Sequence, residues 1–300
     1  MRALIAFVRL SRPLFLYGGI AGVGLGAAIA AWSGHPIGLA TYLWVQAMVT
    51  AFHLMVHYAN DYFDRHGDVA GRGTAWSGGS GIVVAGGALA PRVALVAALV
   101  CAAIGLLCAA RFAVVGNPLV ALIGLAILAG SWIYSAPPLR LAARGWGELD
   151  AALVVAGLVP AAADAALAGR LDPVLWLVLP GPIVTMVVMM LSVELPDWAD
   201  DAASGKRTWV VRLDPATICS RLPPTVTFGA LLTVSSLFHA GGRSAVAWWL
   251  AAPVILCALA LEVAAWRGER RPARVALGGV ALYAISVTAL AVAYGLAATR

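Results

Sequence analysis

Long apolar runs alternate with short polar connections along the whole chain. Nine runs of roughly 20 residues are each long enough to cross a bilayer as an α-helix. They cover residues 13–32, 38–58, 93–110, 117–135, 149–168, 173–193, 223–239, 245–265 and 275–297. Charged residues are nearly absent from the centres of these runs, Asp164 being an exception. The pattern predicts an all-α membrane protein with nine transmembrane helices, and it leaves no room for a soluble domain, so residues 1–300 are expected to form one transmembrane domain.

Composition supports this class. The chain is 62% hydrophobic and only 11% charged, whereas soluble domains carry about a quarter charged residues. The four cysteines have no paired spacing, so we interpret them as small buried apolar residues rather than as metal ligands or disulfides. The first apolar run resembles a signal peptide, but it is longer than a usual signal core and eight more runs follow, which favours an uncleaved first helix.

The distribution of basic residues predicts the orientation. With a cytoplasmic N-terminus and nine alternating spans, only four of the 20 Lys and Arg residues fall on the outer side: Arg111, Arg170, Arg243 and Arg300. The other sixteen face the cytoplasm, as the positive-inside rule requires. The net charge of +6 is therefore attributed to topology and to anionic lipid headgroups, and no nucleic-acid partner is expected.

Two acidic clusters lie in the longest polar stretches, both on the predicted cytoplasmic side. Residues 60–68 and 194–201 hold seven of the 14 acidic residues of the chain: Asp61, Asp64, Asp68, Glu194, Asp197, Asp200 and Asp201. A carboxylate near hydrocarbon costs about 2.5–3.5 kcal/mol even on the lenient insertion scale, and like charges repel each other. A bound cation must offset that cost, and a pair of divalent metal ions is the simplest candidate.

Helical spacing predicts which carboxylates act together. If each cluster continues the preceding helix, His57, Asn60 or Asp61, Asp64 and Asp68 share one face, and Glu194, Asp197 and Asp201 share another, with Asp200 off it. Two facing clusters of this kind suit Mg²⁺ and a diphosphate. The cations available to hold phosphate oxygens are Lys206, Arg207, Arg65, Arg72 and Arg140, although positive-inside topology explains any single arginine about equally well.

At these residues the chain resembles the UbiA superfamily of intramembrane prenyltransferases. Residues 60–68 match the family's NDxxDxxxD motif, and Asp197-x-x-x-Asp201 with Gly205-Lys206-Arg207-Thr208 resembles its second motif. The segments YSAPPLRL (134–141), GWGE (145–148), SGGSG (77–81) and GGALAP (86–91) are similar to the 1,4-dihydroxy-2-naphthoate branch, as is Arg12-Pro13. A Gly- and Ser-rich stretch replaces the basic loop of the ubiquinone branch, and Leu213-Asp214 stands where the family usually has Leu-Gly.

The resemblance implies nine helices around a central cavity that the aspartate motifs cap from the cytosolic side. It implies that Asn60, Asp61, Asp64 and Asp68 hold one Mg²⁺ and that Asp197 and Asp201 hold the other. It also implies that Lys206 and Arg140 contact the diphosphate. We further expect Arg65, Arg72, Tyr134 and Arg207 at the substrate. The aromatic residues Tyr62, Phe63, Trp132 and Tyr134 are candidates to stabilise an allylic cation.

The expected activity is Mg²⁺-dependent transfer of an isoprenyl group from a prenyl diphosphate to an aromatic, quinone-precursor acceptor, as in menaquinone biosynthesis. A membrane terpene cyclase, or prenyl transfer to a non-quinone acceptor, would use the same ionisation chemistry and stays open as an alternative. A transporter would need polar residues spread through the membrane centre, and a diiron oxygenase would need more than the five histidines present. The expected location is the cell membrane, with no oligomeric state indicated.

Overall fold

The computed structural model describes residues 2–66, 80–83, 87–242, 244–266 and 271–299, and the regular structure within these ranges is helical. Fifteen α-helices and one π-helical segment follow one another along the chain. In order they are α1 (Arg2–Leu10), α2 (Pro13–Trp32), α3 (Leu39–Asp64), α4 (Pro91–Val114), α5 (Pro118–Ile133), α6 (Leu141–Arg144), α7 (Gly147–Ala151), the π-helix (Ala152–Leu158), α8 (Val159–Ala168), α9 (Leu175–Val178), α10 (Pro180–Glu194), α11 (Trp198–Ala203), α12 (Trp209–Leu213), α13 (Pro215–Gly241), α14 (Ala245–Ala265) and α15 (Pro272–Ala298).

Within the described ranges, seven helical segments are long and apolar enough to cross a membrane, which confirms a multi-pass membrane protein. They are α2, α3, α4, Gly147–Ala168, Leu175–Glu194, α14 and α15. The remaining two predicted spans coincide with α5 and α13. At about 1.5 Å per residue, the 16 residues of α5 extend about 24 Å, less than the roughly 30 Å hydrocarbon core. Helix α13 has 27 residues but contains Arg221 and the pair Pro223-Pro224. The count of nine spans and the cytoplasmic N-terminus stay predictions.

Six segments form an inner ring around a cavity, counting the consecutive π-helix and α8 as one segment. Helix α2 packs against α3, α8 and α15; α3 packs against α5; and α10 packs against α15 and the π-helix. Helices α4, α13 and α14 lie outside this ring, with α4 against α3 and α5 and the other two against α15. Buried side chains form two clusters, one mostly from α3, α4, α5 and α8 and one mostly from α10, α13, α14 and α15. Helix α2 contributes Val23 to the first and Leu25 and Ile29 to the second, so it joins the two halves.

Helix α2 approaches α8 closely enough to require glycine. A methyl group on Gly26 would overlap the backbone oxygen of Pro160 and lie 2.8 Å from Ala163 Cβ. Small residues at helix contacts allow backbones to approach in this way in membranes. A backbone oxygen cannot rotate away as a side chain can, so the two helices must separate if a side chain is added.

We therefore expect Gly26→Ala to lower stability by about 1–3 kcal/mol, the usual cost of overpacking. Gly24→Ala is the matched control, because a Cβ there meets nothing within 4 Å and alanine is the better helix former. The melting temperatures of the purified variants, measured in the same detergent, provide the comparison. Equal melting temperatures for the two variants would contradict the packing described for α2 and α8.

Candidate active site

A cavity runs into the inner ring from the end of the bundle where α3 and α10 terminate. It has a volume of about 260 Å³, and α2, α3, α5, the π-helix, α10 and α15 all contribute to its wall. Its deeper wall includes the apolar residues Ile127, Val154, Met186, Met189 and Val280. Its mouth carries polar and charged residues from both acidic clusters and the following turn, namely Asn60, Asp64, Glu194, Asp197, Asp200, Asp201 and Lys206. The cavity therefore combines a charged mouth with an apolar interior.

Residues 60–64 of the first cluster lie on a continuous helix, as their spacing predicts. Helix α3 extends through Asp64, so Asn60 and Asp64 lie one turn apart, and Asn60 Nδ2 donates to Asp64 Oδ2 at 3.2 Å. The same amide donates to Ser135 Oγ at 3.0 Å, and Asn60 Oδ1 accepts from Arg12 Nη2 at 3.3 Å. Asn60 and Asp64 are both buried. The amide is thus held in one orientation beside the carboxylate.

Asp61 lies behind the cavity wall and not in it. Its side chain is 1% exposed, with Oδ2 paired to Arg12 Nη2 at 2.9 Å. Its Oδ1 accepts from the backbone N–H of Ser80 at 2.7 Å. Both carboxylate oxygens therefore contact protein groups that tie the start of α2 and the segment 80–83 to α3. The expectation that Asp61 binds metal stays a prediction.

The second cluster does not continue its helix, and this part of the sequence interpretation is wrong. Helix α10 ends at Glu194, Pro196 lies in the turn that follows, and α11 begins after Asp197. A proline lacks the N–H that helix continuation needs. The break brings Asp200 to the cavity together with Asp197 and Asp201. An unbroken helix would instead place Asp200 off the face that carries Asp197 and Asp201.

Lys206 joins the two clusters. Its Nζ lies 3.1 Å from Asp64 Oδ2 and 3.2 Å from Asp201 Oδ1. A turn closed by Gly205, with φ of 79°, and by the Lys206 N–H to the Asp201 carbonyl brings the lysine back over α11. Burial raises the pKa of the Asp201 carboxyl, and the Lys206 ammonium opposes that shift. One cation thus contacts carboxylates that are 137 residues apart in the chain.

The other predicted cations differ in position. Arg140 Nη2 lies 3.5 Å from Asp64 Oδ1, at the mouth. Arg65 instead packs over the Tyr62 ring, 4.3 Å from its centroid, and donates to the Tyr62 carbonyl. Arg207 is exposed, and its backbone N–H donates to the Ala143 carbonyl. Arg65 and Arg207 are therefore not part of the cavity wall. The predicted ligand Asp68 and the predicted contact Arg72 lie outside the described residues.

The aromatic lining differs from the sequence expectation. Tyr134 lines the cavity, whereas Tyr62, Phe63 and Trp132 pack on one another outside it, with 5.8 Å between the Phe63 and Trp132 ring centroids. The rings that line the wall with Tyr134 are Phe15, Tyr17 and Tyr283. Helical spacing alone assigns a residue to a face, but the neighbour on that face depends on tertiary packing, which here turns Phe63 towards Trp132.

A second layer of contacts holds the segment that carries Lys206. Glu148 is fully buried, and its Oε1 accepts from the backbone N–H of Trp209 at 2.6 Å. The Trp209 indole donates to the Gly145 carbonyl at 2.9 Å. The GWGE segment therefore positions residues 206–209 through backbone contacts. The resemblance to the family points to the GWGE segment, and the structure shows that this segment holds the Lys206 turn in place.

A model of the UbiA prenyltransferase family matches residues 21–285. The chain belongs to the UbiA prenyltransferase family. It is therefore a prenyltransferase by family, as its motifs predict. Two curated relatives are 1,4-dihydroxy-2-naphthoate octaprenyltransferases. That of Mycobacterium tuberculosis is 29% identical over 220 residues, and that of Mycobacterium leprae is 28% identical over 226; each match covers 72% of this chain and 72% of the relative.

Solved UbiA structures share the fold. A UbiA homolog from Archaeoglobus fulgidus, bound to GPP and Mg²⁺, superposes with a TM-score of 0.68 at 18% identity, covering 98% of this chain and 99% of that one. The apo UbiA homolog from Aeropyrum pernix K1 has a TM-score of 0.69 at 17% identity, covering 93% and 96%. At these identities the likeness establishes the helical arrangement of this UbiA protein and nothing about its substrates.

The donor set at the mouth of this UbiA cavity fits Mg²⁺ bound together with a substrate. Among the described residues, no group of three or more His, Cys, Asp and Glu side chains is arranged to hold a metal ion alone. Mg²⁺ usually takes one or two carboxylates and completes its shell with water and substrate phosphate oxygens. Asp64 and Asp201, which already share one ammonium group, match that use better than an all-protein cage.

Several residues of this UbiA cavity carry no assignment from sequence. Arg12, Asp150 and Tyr283 all line the wall. Arg12 was marked only by the Arg-Pro pair before the first span, and Asp150 only by its place two residues after the GWGE segment. Tyr283 lies in an unbroken apolar run and has no local signal. All three residues are far along the chain from both acidic clusters, so their position in the cavity becomes visible only in the packed structure.

Proposed function

We propose that this UbiA-family enzyme transfers an isoprenyl group from a prenyl diphosphate to a hydroxylated aromatic acceptor of the quinone-precursor kind, with Mg²⁺ as cofactor. The observation that carries the proposal is the contact of Lys206 with both Asp64 and Asp201 at the mouth of an apolar cavity. The names of the mycobacterial relatives and the GPP and Mg²⁺ bound to the archaeal homolog support the choice of substrates. 1,4-Dihydroxy-2-naphthoate is the first acceptor to test.

The proposal includes the setting of the reaction. Nine spans in the cell membrane, a cytoplasmic N-terminus and a cytoplasmic cavity mouth agree with the excess of Lys and Arg in the connections on that side. A diphosphate made in the cytoplasm would then reach the mouth from water, while its hydrocarbon tail enters the membrane. A cavity of about 260 Å³ is slightly smaller than the usual range of ligand pockets, about 300–1,000 Å³. It suits the diphosphate, a ring and the first isoprene units, and a longer tail would leave between the helices.

The residues at the mouth bind the leaving group. Asn60, Asp64, Asp197 and Asp201 would hold Mg²⁺, whose chemistry when bound is to neutralise the phosphate oxygens. Lys206 and Arg140 would move from carboxylate to phosphate oxygens, and Arg12 lies in the same wall. Because these donors are already in place, they stabilise the charge that develops on the diphosphate as the allylic carbon–oxygen bond breaks.

The deeper wall protects the cationic carbon. Ile127, Val154, Met186 and Met189 give this part of the wall apolar surface that offers water no hydrogen bonds, which limits quenching of the cation by water before the acceptor reacts. The faces of Phe15, Tyr17 and Tyr134 provide electron density towards positive charge. The acceptor ring carbon then forms the new carbon–carbon bond and releases its hydrogen as a proton, and the electron pair of the broken carbon–oxygen bond stays on the diphosphate.

The test is an assay of the purified protein in nanodiscs with geranyl diphosphate, Mg²⁺ and 1,4-dihydroxy-2-naphthoate, with products identified by mass spectrometry. A prenylated aromatic product that depends on Mg²⁺ and on the acceptor supports the proposal. A cyclised hydrocarbon formed without any acceptor would instead identify a cyclase. Absence of prenylated product with a panel of hydroxylated aromatics, while the diphosphate is still consumed, would contradict the proposed acceptor class.

A further inference from the structure

The cavity contains a second set of polar groups below the acidic mouth. His57 lies three residues before Asn60 on α3, and His53 lies a further turn along the same helix, so they are about 4.5 Å and 10 Å deeper by helical rise. Tyr283 faces the cavity from α15. An isoprenoid tail has no hydrogen-bonding atoms to offer these groups.

The orientation of His57 is set by the backbone. Its Nδ1 lies 3.0 Å from the carbonyl oxygen of Ser11. A carbonyl oxygen can only accept, so Nδ1 must carry the hydrogen, and in the neutral ring Nε2 presents a lone pair. Phe15 and His53 pack edge-on against the ring, with centroid distances of 6.3 and 4.9 Å. Within the described part of the chain, no group donates to Nε2.

Tyr283 presents the complementary group. The residue is 3% exposed, and its hydroxyl finds no hydrogen-bond partner among the described residues. Tyr294, eleven residues further along the same helix, is fully buried too, but its hydroxyl hydrogen-bonds to His239 Nδ1 at 3.1 Å. Buried polar groups are normally satisfied, so a buried hydroxyl that lines a cavity without a partner indicates that a ligand supplies one.

Two consecutive glycines of α2 admit these side chains. A Cβ on Gly19 would lie 2.8 Å from His53 Nδ1, and one on Gly18 would lie 3.6 Å from Tyr283 Cε1. His53 on α3 and Tyr283 on α15 therefore approach the same turn of α2, and His57 packs against His53 with 4.9 Å between the ring centroids. The polar groups thus belong to one region of the cavity wall.

We propose that His57 and Tyr283 bind the hydroxyl group of the aromatic acceptor, with His57 Nε2 accepting its hydrogen and the Tyr283 hydroxyl donating to its oxygen. The inference rests on the proposed function, because the acceptor is the one substrate with a ring hydroxyl. When His57 Nε2 accepts the hydroxyl hydrogen, negative charge increases on the hydroxyl oxygen. The oxygen then donates more electron density to the aromatic ring that attacks the allylic cation. Phe15 and Tyr17 supply ring faces beside the sub-site.

Direct binding tests the sub-site without turnover. The probes are 1-naphthol and 1-methoxynaphthalene, titrated into the full-length protein in nanodiscs and followed by fluorescence, with protein-free nanodiscs as blank. The ether keeps the oxygen that Tyr283 contacts and lacks the hydrogen that His57 accepts. Wild-type protein should prefer the naphthol about tenfold, the effect of one buried hydrogen bond. His57→Phe should remove that preference, whereas Tyr283→Phe should weaken both probes by a similar factor.

Tyr294→Phe and His239→Phe are the matched controls, because they make the same changes outside the cavity. Removing the Tyr294 hydroxyl breaks a hydrogen bond, so it should lower the melting temperature and leave both affinities unchanged. Removing the unpartnered Tyr283 hydroxyl should not lower the melting temperature, yet it should weaken binding. A purely structural role for Tyr283 predicts the opposite pattern.

The outcomes separate the sub-site from the function. Equal affinities of wild type, His57→Phe and Tyr283→Phe for 1-naphthol would overturn the sub-site, as would a wild type that does not distinguish the naphthol from its ether. If the predicted probe preference holds but wild type prenylates no hydroxylated aromatic, the sub-site stands and the proposed function fails. If wild type prenylates and both variants keep the acceptor KM, the function stands and the sub-site fails.

Discussion

Replacement of Asp64 by asparagine should lower prenyl transfer by at least about 10²–10³-fold, while the protein stays folded. Among the described residues, Asp64 is the one carboxylate that contacts Asn60, Arg140 and Lys206 together. The substitution keeps the size of the side chain and removes its charge, so it removes the group around which the leaving-group site is arranged. Losing one preorganised electrostatic contact typically costs that factor in rate. The rate is measured with saturating prenyl diphosphate, acceptor and Mg²⁺.

Glu262→Gln is the control for this experiment. Glu262 is a carboxylate near the end of α14 that contacts Thr227 and does not line the cavity, so the same loss of charge should leave the rate within about twofold. Elution volume and melting temperature in the same detergent should be close to wild type for both variants. An Asp64→Asn enzyme that keeps a tenth or more of the activity would remove Asp64 from the leaving-group site and with it the proposed chemistry.

The positions of most helices follow from hydropathy because burial in lipid and burial in protein both select apolar residues. That is why the starts of α2 and α14 match their predicted runs, at residues 13 and 245. The same equivalence hides which face of a helix meets lipid and which meets protein. Helix α5 is predicted at 117–135 and ends at Ile133, so hydropathy alone also overstates how much of a run is helical.

The first acidic cluster could be interpreted from spacing because its helix is unbroken. Asn60 and Asp64 lie one turn apart, and four-residue spacing places them in contact. Spacing could not separate Asp61 from Asn60, because the difference depends on Arg12, which reaches Asp61 from the start of another helix. In the second cluster, the helix ends before Pro196, so helical spacing no longer predicts which side chains share a face.

The contact between the clusters could be stated from sequence only as an expectation. Lys206 lies five residues after Asp201, and its return to Asp64 depends on the turn at Gly205 and on Glu148, which holds Trp209 from a segment some 60 residues earlier. Local signals cannot encode such a route. Tyr283 illustrates the limit, since nothing in an apolar run distinguishes a tyrosine that faces lipid from one that faces a substrate.

Arg12→Met should be strongly destabilising, by about 3–5 kcal/mol, which is the usual cost of removing one partner from a buried ion pair. Arg12 is 14% exposed and Asp61 is 1% exposed, with 2.9 Å between Arg12 Nη2 and Asp61 Oδ2. Without the guanidinium, the Asp61 carboxylate keeps, among the described residues, only the backbone N–H of Ser80. The melting temperature in detergent measures the loss. The double variant Arg12→Met/Asp61→Asn should recover much of it, because an amide is far cheaper to bury than an unpaired carboxylate. No recovery would contradict the pairing.

The single variant Asp61→Asn then distinguishes two roles for this residue. If Asp61 acts as the partner of Arg12 and Ser80, the amide that replaces its carboxylate would still offer an oxygen to either donor, so activity should fall by about tenfold or less and the fall should accompany the loss of stability. If Asp61 is instead a metal ligand, the Asp61→Asn enzyme should lose as much activity as the Asp64→Asn enzyme, and a higher Mg²⁺ concentration should restore part of that activity. Because both of its carboxylate oxygens already contact protein donors in the described residues, we expect the first result. A loss equal to that of Asp64→Asn at unchanged melting temperature would instead return Asp61 to the metal site.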